Sequence, residues 1–224
     1  MTTDERRPAG TTAGSSAPAT ARDRVVVFDI GNVLVDWDPR HLFRHVFRQN
    51  PTAMEWFLDH ICTPAWNLEQ DGGRTWAAGV GALVAEKPEW RAEIELYDRR
   101  WHDMIPRVIE GTVRILEELR STGVKLYAVT NFSSEKFIES RARFPFLGLF
   151  DGIIVSGDEK LLKPHAPIFA LLCSRYGLTA SACVFIDDNA ENVVGASEFG
   201  MTALPFTSPE TLRADLRRLG LQLH

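Results

Sequence analysis

What this 224-residue chain has little of narrows its class first. Cysteine is scarce: Cys62, Cys173 and Cys183 are odd in number and no two share a CxxC spacing. That argues against a disulfide framework or a cysteine-rich zinc site, and leaves reduced, buried thiols in a cytoplasmic protein as the expectation. No apolar run approaches the roughly 20 residues of a membrane span. Basic residues are not in excess: 25 Lys and Arg stand against 30 Asp and Glu, a net charge of -5. That balance argues against nucleic acid or an anionic membrane as the main partner, while leaving room for a local basic pocket. The histidines show no HxxEH-like spacing, and no internal repeat is present. Residues 1–23, MTTDERRPAGTTAGSSAPATARD, lack the apolar centre of a secretory signal and are rich in Ala, Thr, Ser, Gly and Pro. A disordered tail is expected there.

What remains is ordinary soluble composition, 45% hydrophobic and 25% charged, in a length that allows one large domain or one domain with a smaller insert. Short apolar runs at 25–30, 124–130, 152–156, 183–187 and 202–206 read as strands. They are continuous rather than alternating, which suits strands covered on both faces of a parallel sheet. Helical patterns lie between them: TVRILEELRSTG, PIFALLCSRYGL and NVVGASEFG run to the stop signals Gly123, Gly177 and Gly200. Strand, helix, strand at this spacing predicts an α/β fold with a doubly wound parallel sheet. One segment breaks the alternation. From Arg40 to about Pro106 no strand is legible, but HLFRHVFRQN, TAMEWFLDHI and EWRAEIELYDRRWHDMI are helical patterns, and five of the six tryptophans lie here. The segment is far longer than an ordinary connection. A helical insert over 40–106, after the first strand, is therefore expected, with 24–39 and 107–224 forming the core.

In such a sheet, ligands bind beyond the carboxyl ends of the strands. Those ends carry Asp29 after the first strand, Thr130 and Asn131 after the second, Lys163 downstream of the third, and Asp187 with Asp188 after the fourth. Carboxylates crowded together repel unless a cation holds them, and an all-oxygen ligand set without imidazole or thiolate suits a hard ion such as Mg2+. Thr130 and Lys163 offer a hydroxyl and a positive charge to an oxyanion, and a carboxylate such as Asp29 can act as a nucleophile. Each residue also has a plainer reading: Asp29 as a strand-end turn former, Thr130-Asn131 as a helix cap, Lys163 as a loop lysine, Asp187-Asp188-Asn189 as turn chemistry.

Taken together and in order, these stations resemble the four motifs of the haloacid dehalogenase superfamily, over about residues 24–206. The insert resembles that family's helical cap, and FDIGNV has the D-x-G-N-V form of its bacterial sugar-phosphate phosphatase-like members. The resemblance implies a Mg2+-dependent phosphatase acting on a small phosphorylated metabolite through an aspartyl-phosphate. Asp29 would be nucleophile and metal ligand, the Gly31 carbonyl and Asp188 further ligands, and Asp187 a ligand directly or through water. Thr130 and the Asn131 amide would bind phosphoryl oxygens, and Lys163 would neutralise charge. The expected partner is thus a small molecule, with the protein a monomer or homodimer.

Gly31 departs from the family pattern, in which a second aspartate serves as general acid and base. Glycine would ease a sharp turn there, but losing a general acid costs ~10²–10⁴ in rate. Aryl, acyl and anomeric phosphates are therefore expected to outrun alkyl phosphates. The alternatives are a dehalogenase, which needs no acid but whose relatives carry Ser-Asn rather than Asp-Asp at the fourth motif, or a weakly active binding module. Asp36 and Asp38 either shape the flap after Gly31, Asp38 capping a helix that opens at Pro39, or touch the substrate. In WNLEQDGGRTW, Glu69, Asp71 and Arg74 either face the substrate from a loop or are surface charges. His165 is near the rim only through Lys163, and no role is assigned to it.

Overall fold

The computed structural model describes residues 24–48 and 50–223; the tail expected at 1–23 lies outside the described residues. Five strands form one parallel sheet: β1 (Val25–Phe28), β2 (Leu126–Thr130), β3 (Gly152–Val155), β4 (Cys183–Asp187) and β5 (Thr202–Pro205), in the order β3-β2-β1-β4-β5. β1 is central, with Val27 in register with Tyr127 on one side and Phe185 on the other. The two-residue period of a strand sends its side chains to opposite faces. Val26 and Phe28 join one core, and Val25 and Val27 the other. Both faces are covered, which is why the strand reads as an unbroken apolar run.

Between β1 and β2 lie α1 (Pro39–Val46), α2 (Pro51–His60), α3 (Pro64–Asp71), α4 (Trp76–Glu86), α5 (Arg91–Arg99) and α6 (Glu110–Ser121). Then follow α7 (Ser134–Arg143), the single-turn α8 (Ser156–Glu159), α9 (Ala166–Tyr176), α10 (Ala190–Glu198) and α11 (Pro209–Arg218). α9 and α10 cover one face of the sheet through Ile168, Phe169, Leu172 and Ala196. α6 and α11 contribute Ile115, Leu116, Leu119, Leu212 and Leu216 to the other. That second core continues without a break into α1–α5, where Phe43, Phe57, Trp76, Ile94 and Tyr97 are buried.

Local chemistry explains the helix starts. Asp38-Pro39, Asn50-Pro51, Thr63-Pro64 and Ser208-Pro209 each place an oxygen-bearing cap before a proline, and each cap side chain accepts an N–H of the first turn. WNLEQDGGRTW, expected as a loop, proves to be mostly helix. α3 runs through Asp71, Gly73 turns the chain at φ 101°, and Thr75 caps α4. The pattern hides because two glycines follow a helix whose buried residues include the polar Asn67 and Gln70. FIESRAR belongs to a helix, α7, capped by Ser133 rather than by Thr130 or Asn131. Cys62 and Cys183 are buried, Cys173 is half-buried, and all are free thiols.

Candidate active site

β1 and β4 are neighbours and both end at the carboxyl rim, so Asp29, Asp187 and Asp188 meet there. One carboxylate oxygen from each lies within 4.8 Å of the others. Asp29 is buried; its Oδ1 accepts the Ile30 N–H at 2.7 Å and lies 2.9 Å from Lys163 Nζ. Lys163 reaches the rim from the loop before α9, and the same Nζ donates to Asp187 Oδ2 at 2.6 Å. Asn131, at the end of β2, fixes that loop: its Oδ1 accepts Lys163 N–H at 2.9 Å and its Nδ2 donates to Lys163 O at 3.1 Å. Thr130 is buried beside it.

Asp187 has no exposed surface. Besides Lys163 it accepts the Asn189 N–H at 2.9 Å and Asn192 Nδ2 at 3.0 and 3.1 Å. Asp188 projects outward, hydrogen-bonded by Asn32. Asn32 takes a left-handed backbone, φ 53°, and its Oδ1 accepts Trp37 N–H at 3.0 Å, folding the flap back over the rim. Asn32 and Asn192 were not anticipated from the sequence. The only signal for either is that asparagine tolerates the left-handed region and recurs beside the acidic pair.

The electrostatics show an incomplete charge balance. Burial pushes Asp29 up to about 7; Lys163 opposes this, and Asp187 and Asp188 add to it. Asp188 is raised too, by burial and then by Asp187. Burial works against the charge on Lys163, but Asp29 and Asp187 outweigh it and hold the ammonium protonated. A single lysine cannot neutralise three carboxylates. A divalent cation fits the chemistry here: the donors are all oxygen, and one from each carboxylate lies within 4.8 Å of the others.

Gly31 lines the cavity above this cluster. Its φ is not positive, and a Cβ placed there would meet nothing within 4 Å. The left-handed residue of this turn is Asn32, so the sharp turn that glycine was expected to ease at 31 falls one residue later. Asp36 and Asp38 are not in the cavity lining. Asp36 is bonded to His41 at 3.0 Å and Arg107 at 2.8 Å, and these bonds outweigh burial to hold its carboxyl low. Asp38 caps α1. The three polar residues of WNLEQDGGRTW separate: Arg74 pairs with the exposed Glu69, whereas Asp71 lines the cavity. His165 lies outside it.

The cavity has a volume of about 390 Å³ and opens between the rim and the insert. Asp29, Gly31, Asn131, Lys163 and Asp188 form its floor. Trp37, Pro64, Ala65, Leu68, Trp101 and Phe132 supply an apolar wall. Each lining asparagine is already bonded to protein: Asn32 to Trp37, Asn67 to Asp71, Asn131 to Lys163, Asn189 to Glu191, Asn192 to Asp187.

A parallel α/β sheet with a helical insert after β1, carrying an aspartate nucleophile candidate, a lysine and an acidic pair on its carboxyl rim, defines a hydrolase of the haloacid dehalogenase type. Residues 24–200 match the haloacid dehalogenase-like hydrolase family, and the chain belongs to it. It is 32% identical over 105 residues to the sesquiterpene phosphatase astK of Aspergillus oryzae, covering 47% of this chain and 54% of that protein. It is 33% identical over 91 residues to the glyceraldehyde 3-phosphate phosphatase of Methanocaldococcus jannaschii, covering 40% of each. The chain thus spans about half the length of these curated relatives. Its fold is shared with a haloacid dehalogenase family enzyme of Bacteroides thetaiotaomicron solved with magnesium and inorganic phosphate. That likeness has a TM-score of 0.65 at 21% identity, over 83% of this chain and 94% of that one.

Proposed function

We propose that this protein is a Mg2+-dependent phosphatase that cleaves small phosphate monoesters through an aspartyl-phosphate on Asp29. The observation that carries this reading is the meeting of Asp29, Asp187, Asp188 and Lys163 at one rim, with both outer carboxylates raised by crowding and burial. Asp29 attacks phosphorus through the oxygen not held by Ile30 and Lys163. Asp29, the Gly31 carbonyl and Asp188 would hold the cation, with Asp187, whose oxygens already accept Lys163, Asn189 and Asn192, beside them. When bound, the ion would supply positive charge to offset the carboxylates and the phosphoryl group. Lys163 neutralises charge on the transferring group, and Thr130 and the Asn131 amide orient its oxygens. Residues 40–106 act as a cap on the core formed by 24–39 and 107–224, excluding water and selecting the leaving group. The protein works in the cytoplasm as a monomer or homodimer.

The lining also speaks to the leaving group. The lining asparagines are each bonded to protein, and Trp37, Leu68, Trp101 and Phe132 offer a broad apolar and aromatic surface, with the indole N–H of Trp37 unpartnered among the described residues. A hydrocarbon or aromatic alcohol phosphate fits this wall better than a sugar phosphate. The sesquiterpene phosphatase among the relatives is in keeping with that.

The test is phosphate release from p-nitrophenyl phosphate. Turnover is expected with Mg2+, to be lost in EDTA, to disappear in Asp29→Asn, and to require far more Mg2+ in Asp188→Ala. Activity retained by Asp29→Asn would remove the aspartyl-phosphate. Metal-independent halide release from 2-chloropropionate would establish a dehalogenase instead.

A further inference from the structure

The site as described has a nucleophile, a charge-neutralising lysine and a cation site, but position 31 provides no proton donor. One carboxyl in the cavity is unaccounted for. Asp71 ends α3 and lines the cavity with Asp29, Asp188 and Lys163, yet it is remote from the acidic cluster in sequence and comes from the insert.

Its placement is fixed from both sides. The Asp71 carbonyl accepts Ser156 Oγ at 2.5 Å, and that hydroxyl also accepts the Phe132 N–H at 2.9 Å. Asn67, one turn earlier, donates its Nδ2 to Asp71 Oδ2 at 3.0 Å, and Tyr97 donates to Asn67 Oδ1 at 3.4 Å. The next helix is pinned to the same part of the core, Trp76 Nε1 donating to Ser133 Oγ at 2.8 Å. With its main-chain carbonyl tied to Ser156 and its carboxyl bonded by Asn67 and the Ser133 N–H, Asp71 is neither a surface charge nor part of a salt bridge with Arg74, which turns to Glu69 and Gln70.

We propose that Asp71 is the general acid and base of this enzyme, supplied from the insert in place of the carboxyl missing at position 31. This rests on the phosphatase reading above. In the first step an Asp29 oxygen forms the bond to phosphorus as the bond to the ester oxygen breaks. Protonated Asp71 gives its proton to that oxygen, and a neutral alcohol departs. In the second step Asp71 takes a proton from the water that attacks phosphorus. The bond to Asp29 breaks, phosphate leaves, and both carboxyls are restored.

Two observations support the assignment. The charged groups sharing the cavity with Asp71 are Asp29, Asp188 and Lys163. Burial pushes the Asp71 carboxyl up to about 7, helped by the charge of Asp29 and opposed by a bond from the Ser133 N–H and by Lys163. A group of that affinity donates and accepts protons near neutrality. With Asp71 as donor, the wild type should not show the disadvantage expected for alkyl phosphates.

The experiment compares Asp71→Asn with the wild type, in full-length protein with Mg2+, on p-nitrophenyl phosphate and 2-phenylethyl phosphate. kcat/KM reports the steps up to alcohol release, so it isolates the acid role. For the phenylethyl ester it is expected to fall ~10²–10⁴-fold, while the p-nitrophenyl ester, whose leaving group needs no proton, loses less than about 10-fold. kcat should fall for both, since hydrolysis of the phospho-Asp29 has lost its base. Retained kcat/KM on the aryl ester certifies that the variant is folded. Restoring a carboxyl with Gly31→Asp in the Asp71→Asn background should recover the alkyl ester selectively. Equal losses on both esters, or a loss on neither, would overturn the role of Asp71. A wild type inactive on both esters would instead sink the phosphatase reading itself.

Discussion

At the scale of single residues, the site separates groups that act from groups that hold them. Asp187 is buried and Asn131 half-buried, and each bonds Lys163, Asp187 through its side chain and Asn131 through the Lys163 backbone. Asp29 and Asp188 instead carry unresolved charge. Gly31 belongs to neither set. With φ outside the left-handed region and no neighbour within 4 Å of a built Cβ, its backbone does not need glycine. Gly31→Ala should therefore leave the fold intact and stabilise it by about 0.4–1 kcal/mol, through the reduced freedom of the unfolded chain. Urea denaturation checks this, and a loss above about 1 kcal/mol would show that the turn does depend on glycine. Asn32 is the opposite case, since it holds a left-handed turn and also bonds Trp37 and Asp188.

Elements explain what could be read from the sequence and what could not. The strands were legible because burial on both sheet faces forces an unbroken apolar run, and Asp29, Thr130, Asn131, Asp187 and Asp188 were legible because they stand where such runs stop, whereas Lys163 comes from a loop beyond α8. Asp38 as a cap was legible from the proline after it. α3 was not, because the cue for a helix is apolar periodicity, and its inner face carries Asn67, Gln70 and Asp71. Asn67 and Asp71 line the cavity, and the partners that anchor α3, Tyr97 on Asn67, Ser133 on the Asp71 carboxyl and Ser156 on the Asp71 carbonyl, lie far along the chain. This anchoring can be tested at Ser156. Ser156→Ala removes the donor to the Asp71 carbonyl and the acceptor of the buried Phe132 N–H. Leaving such groups unsatisfied costs about 1–3 kcal/mol. The variant should unfold at lower urea by that amount, and hydrogen exchange should show α3 opening more readily than α9. An unchanged midpoint would mean that water replaces the hydroxyl at no cost.

At the scale of the molecule, the question is whether insert and core are one folding unit or two. Their sequences look separable, since one is helical and tryptophan-rich and the other alternates strands and helices. Their packing does not. The core beneath one sheet face runs continuously into the insert. Trp101 lies 5.0 Å from Phe132, Lys136 pairs with Asp98 at 2.7 Å, and Arg143 donates to the carbonyls of His102 and Ile105 at 2.7 Å. Phe57 sits in the middle of the insert, its ring 5.0 Å from Phe43 and 5.4 Å from Trp90. Residues sharing one core lose their contacts together, so unfolding should be two-state. Five of the six tryptophans lie in the insert, which makes tryptophan fluorescence a probe of that segment, while far-ultraviolet circular dichroism reports the whole chain. The two signals should give the same midpoint in urea. Phe57→Ala, costing about 3–5 kcal/mol, should move both midpoints down together although it lies in the insert. If fluorescence shifts and the dichroism of the sheet core does not, insert and core unfold separately. Their junction would then be an interface that can open with the fold intact, rather than an extension of the core.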